Sequence, residues 1–137
     1  MGHAECRKIF EAARVVRDLE IQCNQVSDGA CTASLSVTEK HLQHLNVVHG
    51  GVITTLAGHA AAGAATTLIG SNNFVVASGF TAKLFKSVRQ GDLRATATVI
   101  EQSERDMRVE TVVTNLVNSE TAEVARVTFN LVVQSSI

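Results

Sequence analysis

Residues 41–57 read HLQHLNVVHGGVITTLA, and the run continues as GHAAAGAATTLIG to Gly70 before Ser71-Asn72-Asn73 breaks it. A loop rich in His, Gln and Asn, Thr38 to Val48, gives way at Gly50-Gly51 to a long segment of Ala, Gly and Thr with scattered Val, Ile and Leu. The segment reads as one long helix that is apolar on every side. Such a helix belongs in an interior, and side chains this small let its backbone approach a tightly wrapped sheet. From His41 to Ala82 there is no Asp, Glu, Lys or Arg, so nearly a third of the chain is formally uncharged apart from His41, His44, His49 and His59. Residues 50–69 have about the length that a bilayer requires. However, Gly, Ala and Thr are close to neutral for insertion, and no basic flank orients the segment, so the reading is a buried helix and not a membrane span.

Working outward, the 137 residues fit a single domain spanning 1–137, large enough to bury a core without disulfides or a metal. A hydrophobic content of 45% with 18% charged residues excludes a disordered tail. A net charge of −1 without a basic run argues against nucleic acid as a partner. Cys6, Cys23 and Cys31 are odd in number and lack CxxC spacing, which reads as reduced thiols in a cytoplasmic protein. The N-terminal MGHAECRKIFEAARVVRD has no apolar run and so is not a secretory signal, and Cys6 occupies the position where a myristoylation pattern needs Ser or Thr.

The coarse order is a helix over 3–16, strands from Leu19 to Val26 and Ala30 to Val37 about an Asp28-Gly29 turn, and the long helix. Four strands follow: Phe74 to Lys86, Leu93 to Gln102, Arg105 to Val117 and Glu123 to Val133. They are separated by turns at Gln90-Gly91-Asp92 and Asn118-Ser119-Glu120. One long helix wrapped by a six-stranded, mostly antiparallel sheet places the chain in the α+β class.

His49-Gly50-Gly51 sits where that helix opens. A helix N-terminus has unpaired N–H groups and partial positive charge, and two residues without Cβ let a carbonyl come close to them. A carbonyl oxygen that gains negative charge would be stabilised there. The plainer reading is that the glycines only let the loop pack against the sheet.

Asn46-Val47-Val48-His49-Gly50-Gly51, followed by the small apolar run to Leu56-Ala57, resembles the phenylacetic-acid-degradation (PaaI-type) group of hotdog-fold acyl-CoA thioesterases. Lys83 to Asp92 is similar to that family's segment before a Gly-Asp turn, and the likeness covers roughly residues 5–133. It implies a hotdog fold assembled as a homodimer or homotetramer, an acyl-CoA substrate, and no metal or redox cofactor. It implies oxyanion N–H groups from Gly50 and Gly51, with His49 and Gln43 shaping the site. Gln43 and Asn46 stand where the family has Asn and Gly; Asn tolerates the left-handed turn conformation. A facing-strand Ser or Thr falls at Ala77 or Ser78. Lys86 and Arg89 either face the CoA phosphates or are solvated loop charges.

The family's water-activating carboxylate, nine residues after the motif histidine, falls on Gly58. His59 is adjacent to Gly58, but a helix turns about 100° per residue, so it is expected to point elsewhere, as a hydrogen-bonded histidine in a subunit contact in preference to a substitute base. His49 either holds the loop or polarises water, and a partner subunit offers Asp92, Glu101 or Glu110. Losing a general base costs ~10²–10⁴ in rate. Two functions follow: a slow acyl-CoA thioesterase acting on a small or medium acyl or aryl group, or a non-catalytic acyl-CoA-binding or sensing protein.

Overall fold

A computed structural model describes residues 1–135. The elements are α1 (His3–Ala12), α2 (Arg14–Asp18), β1 (Gln22–Ser27), β2 (Ala30–Ser36), a single 3-10 turn (Glu39–His41), α3 (Gly50–Thr66), β3 (Asn73–Leu84), β4 (Asp92–Gln102), β5 (Asp106–Val117) and β6 (Glu120–Ser135). The strands form one sheet ordered β1-β2-β4-β5-β6-β3, and every adjacent pair is antiparallel. The sheet curves around α3, which packs against all six strands.

The alternation in the strands decides which face meets α3. On β4, Leu93, Ala95 and Ala97 are buried and Arg94, Thr96 and Thr98 are exposed; on β5, Met107, Val109, Thr111 and Val113 point inward. Small residues at the contact bring helix and sheet close. A Cβ on Gly63 would stand 2.8 Å from the Cys31 sulfur, so only glycine fits there. Thr111, fully buried, donates its hydroxyl to the Ala57 carbonyl at 3.3 Å and ties α3 to β5.

Four boundaries differ from the sequence reading. The first helix is split because Ala13 is extended (φ −67, ψ 127), which re-aims α2 so that Val16 enters the core. The first strand starts at Gln22 because the residues before it close α2: Glu20 is left-handed (φ 57), its N–H bonds the Arg17 carbonyl, and the Ile21 N–H bonds that of Val16. This is a Schellman cap, with Ile21 as its buried apolar contact. Regular helix ends at Thr66, four residues early. There the Thr67 hydroxyl donates to the Ala64 carbonyl and accepts from the Gly29 N–H, pinning the helix end to the β1–β2 hairpin. Finally, β6 begins at Glu120, because Asn118 and Ser119 are both left-handed and form a two-residue hairpin turn.

Candidate active site

The loop before α3 is built on His41. This side chain has no exposed surface. Its Nδ1 accepts from the Thr38 N–H at 2.9 Å, so Nε2 carries the proton and donates to the Leu19 carbonyl at 2.8 Å. The His41 carbonyl accepts from the His49 N–H, and a bridge between Leu42 and Val48 pinches off residues 43–47. Inside that small loop Asn46 takes φ +62, the left-handed conformation expected of it. The Gln43 side-chain oxygen accepts from the Leu45 N–H, which leaves its NH2 group as the free end.

His49 is the N-cap of α3. Its Nδ1 accepts from the Gly51 N–H at 2.9 Å, which leaves Nε2–H facing outward. The ring lies over Gly51 so closely that a Cβ there would meet Nδ1 at 2.9 Å. The expected pair of oxyanion donors is therefore corrected to one. The Gly51 N–H is taken up by the histidine, while among the described residues nothing accepts from the Gly50 N–H. Gly51 thus serves the packing role, and Gly50 keeps the open donor.

From this end of α3 an apolar cleft of about 530 Å³ runs along the helix. Gly51, Thr54, Thr55, Gly58, His59 and Ala62 form one wall, and β3 and β6 supply the other, including Ala77, Phe80 and Phe129. Thr54 and Thr55 donate their hydroxyls to the Gly50 and Gly51 carbonyls, so their polar ends are already bonded within the helix. Gly58 and His59, one residue apart, line the same cleft. Burial pushes the His59 imidazole below its ordinary pKa, and no charged group opposes that effect, so it is neutral at pH 7. Its ring meets Phe10 edge-on at 5.9 Å.

Of the two facing-strand candidates, Ala77 lines the cleft. Ser78 is the residue at a bulge in β3, and its hydroxyl donates to the Asn130 carbonyl. Lys86 and Arg89 are exposed and form no ion pair among the described residues. Their segment runs beside the helix start: the Val48 N–H bonds the Val88 carbonyl at 2.7 Å, and Leu84 touches Gly50. The three acids expected from a partner subunit lie outside the cleft of their own chain: Asp92 holds the Ser36 hydroxyl, Glu101 pairs with Arg108, and Glu110 lies 3.8 Å from Arg126. Thr111 points at α3, so its neighbour Glu110 points away. Thr54, Thr55, Ala62, Phe80 and Phe129 were not singled out from the sequence, although the helix members repeat at three and four residues from Gly51. A larger space of about 680 Å³ between α2 and the outer sheet face is lined by Asp92 and by none of the residues expected around the helix start.

Residues 45–122, more than half of the chain, match the family model of the thioesterase superfamily. The chain belongs to that superfamily. The matched span opens at Leu45 and takes in His49-Gly50-Gly51, all of α3 and strands β3 to β5. A thioesterase family protein from Silicibacter pomeroyi superposes with a TM-score of 0.93 at 18% identity, over 98% of this chain and 99% of that one. A thioesterase from Haemophilus influenzae gives 0.87 at 20% identity, over 100% and 93%. A mutant of the phenylacetic acid degradation protein PaaI from Thermus thermophilus gives 0.79 at 21%, over 88% and 98%. No curated protein matches the chain. The thioesterase superfamily chain thus has the hotdog fold, its central helix being α3. Among the described residues, no helix is long and apolar enough to cross a membrane.

Proposed function

We propose that the chain is an acyl-CoA thioesterase, hydrolysing a small or medium acyl- or aryl-CoA thioester to the free acid and CoA. The observation that carries this reading is the apolar cleft beginning at the open N-terminus of α3, inside the span shared with the thioesterase superfamily. The acyl group lies in the apolar cleft that begins at Gly51. The Gly50 N–H takes the thioester oxygen as it gains charge, and Gln43 and His49 offer N–H donors at the mouth. Lys86 and Arg89 flank that mouth with the charge that CoA phosphates need. The chain assembles as a homodimer or a dimer of dimers through the free edge of β3. Three free cysteines fit the reducing cytoplasm. Thioester hydrolysis needs neither metal nor redox cofactor.

A second reading has one specific support: the cleft holds no carboxylate, Gly58 standing where the resemblance places it. On that reading the protein binds acyl-CoA without turning it over. Following thiol release from a panel of acyl- and aryl-CoAs separates the two. Turnover of at least one thioester above buffer supports the enzyme, and binding without turnover across the panel favours the second reading.

A further inference from the structure

The cleft contains a single ionisable side chain, His59; every other lining residue is Gly, Ala, Thr, Val, Leu or Phe. Neither ring nitrogen of His59 has a hydrogen-bond partner among the described residues; its one recorded contact is the edge-on ring of Phe10. Both nitrogens are open to the solvent-filled cleft, so either can meet water or a ligand there. The elements around the cleft, α1 through Phe10, β3 through Ala77 and Phe80, and β6 through Phe129, bring no charge to it. Asp92, Glu101 and Glu110 are engaged elsewhere, as described above.

Distance along the helix restricts how this histidine can act. Gly50 and His59 are nine residues apart on α3, about 13 Å at 1.5 Å per residue. A water attacking a carbonyl bound at Gly50 lies about 3 Å from the carbonyl carbon, out of reach of His59 on the same chain. A second copy changes this. The edge of β3 is unpaired, and Val76, Phe80 and Leu84 on it are 44%, 54% and 50% exposed. Two-fold pairing along that edge lays the two α3 helices antiparallel. The Gly51 end of one cleft stripe then meets the His59–Ala62 end of the other.

We propose that His59 of one protomer is the general base for the thioester held at Gly50 of a second copy. This rests on the thioesterase reading above. An unprotonated nitrogen of His59 takes a proton from water as the water oxygen bonds to the thioester carbon. The C=O pair moves onto oxygen, where the Gly50 N–H holds it. The oxyanion collapses, the C–S bond breaks, and the leaving thiolate takes the proton back from His59. Water and thioester become carboxylic acid and thiol, with the histidine restored.

Three measurements test the proposal on a thioester that the wild-type protein hydrolyses. His59→Gln is expected to lower kcat by about 10²-fold or more with KM changed little, while circular dichroism shows an intact fold. The wild-type kcat/KM is expected to rise with pH to a plateau, with its midpoint below the ordinary histidine value; His59→Gln abolishes that rise. Gly50→Pro removes the N–H at the first helical position, where proline is tolerated, and is also expected to be slow. Refolding Gly50→Pro and His59→Gln together makes mixed dimers with one wild-type site each, restoring about a quarter of the wild-type rate by two-fold symmetry. Wild-type rates in His59→Gln overturn the proposal and leave the thioesterase reading standing. Absence of recovery in the mixture overturns action across two copies. Absence of turnover by the wild type on any thioester overturns both this proposal and the thioesterase reading on which it rests.

Discussion

On the thioesterase reading, Gly58 is the residue that most limits the chemistry, and it is also open to change. A Cβ added there would meet the Phe129 ring at 3.5 Å, an ordinary contact, so Gly58 has room for a side chain to begin. A carboxylate ionises at lower pH than an imidazole, so hydrolysis by Gly58→Asp is expected to exceed wild type by about tenfold, with the larger gain on the acid side. An unchanged rate in a folded variant counts against Gly58 as the vacated acid position. His59 also leaves a mark on stability. Burial lowers its folded-state pKa, so below about 6.5 the unfolded chain binds a proton that the folded chain resists, and stability falls with pH. The urea midpoint of wild type should therefore drop between pH 7 and pH 5, and that of His59→Gln should drop less. Burial, helped by neighbouring Cys23, pushes the Cys31 thiol up to about 12, and both Cys31 and Cys6 are buried. A thiol reagent at pH 8 should thus reach at most Cys23 in the native protein and all three after denaturation. Gly50, Gly58 and His59 were legible from the motif and from a fixed spacing along one helix. The cap by which His49 occupies the Gly51 N–H, and the bond Gln43 makes to its own loop, were not. Those depend on side-chain rotamers that a chain of letters does not carry.

At the scale of elements, legibility followed burial. Strands β2, β4 and β5 have one face on α3 and one in solvent, so apolar and polar residues alternate and the reading was right to within a few residues. Three of the four misplaced boundaries are turns that non-glycine residues make in left-handed or extended conformations, at Ala13, Glu20, Asn118 and Ser119; the fourth is the side-chain tie at Thr67. Such positions lack the usual glycine signal. The left-handed ones also carry strain. Ser119 at φ +68 occupies the place where a two-residue turn favours glycine, so Ser119→Gly should stabilise the fold by about 0.5 kcal/mol, measurable as a higher urea midpoint at unchanged slope. The helix gives the opposite case. Gly63 faces the Cys31 sulfur at a distance no Cβ tolerates, so Gly63→Ala, although favourable for helix propensity, should destabilise by about 1–3 kcal/mol through overpacking. Its partner change Cys31→Ala vacates that space, and the double variant should recover much of the loss, a coupling that a double-mutant cycle measures.

The whole molecule has one element that its own core does not explain. β3 is twelve residues long and pairs only with β6, and from Val76 to Ser87 almost every residue is exposed on both faces. Apart from Val75 and the Phe80 ring against Phe129, its apolar side chains face no core in a single chain, which is why it read as a strand from composition without a discernible buried face. A long unpaired apolar edge invites pairing with another chain, and a second copy on a two-fold axis covers the edge and the adjacent cleft together. Val76 lies on the face of β3 opposite Val75 and Ala77, which line the cleft, so charging it leaves the cleft residues in place. Two copies that pair along this edge bring Val76→Lys near its symmetry mate, and like charges opposite one another oppose association. Light scattering should therefore find the wild type at twice the chain mass or a multiple of it, and Val76→Lys, alone or with Phe74→Lys, at the monomer mass with an unchanged circular dichroism spectrum. Because Gly50 and His59 are too far apart on one helix to share a carbonyl, thioester hydrolysis should fall in step with the dimer fraction and recover as protein concentration is raised. An active monomer would place the complete site within one chain, and an unchanged assembly would place the interface on another face of the sheet.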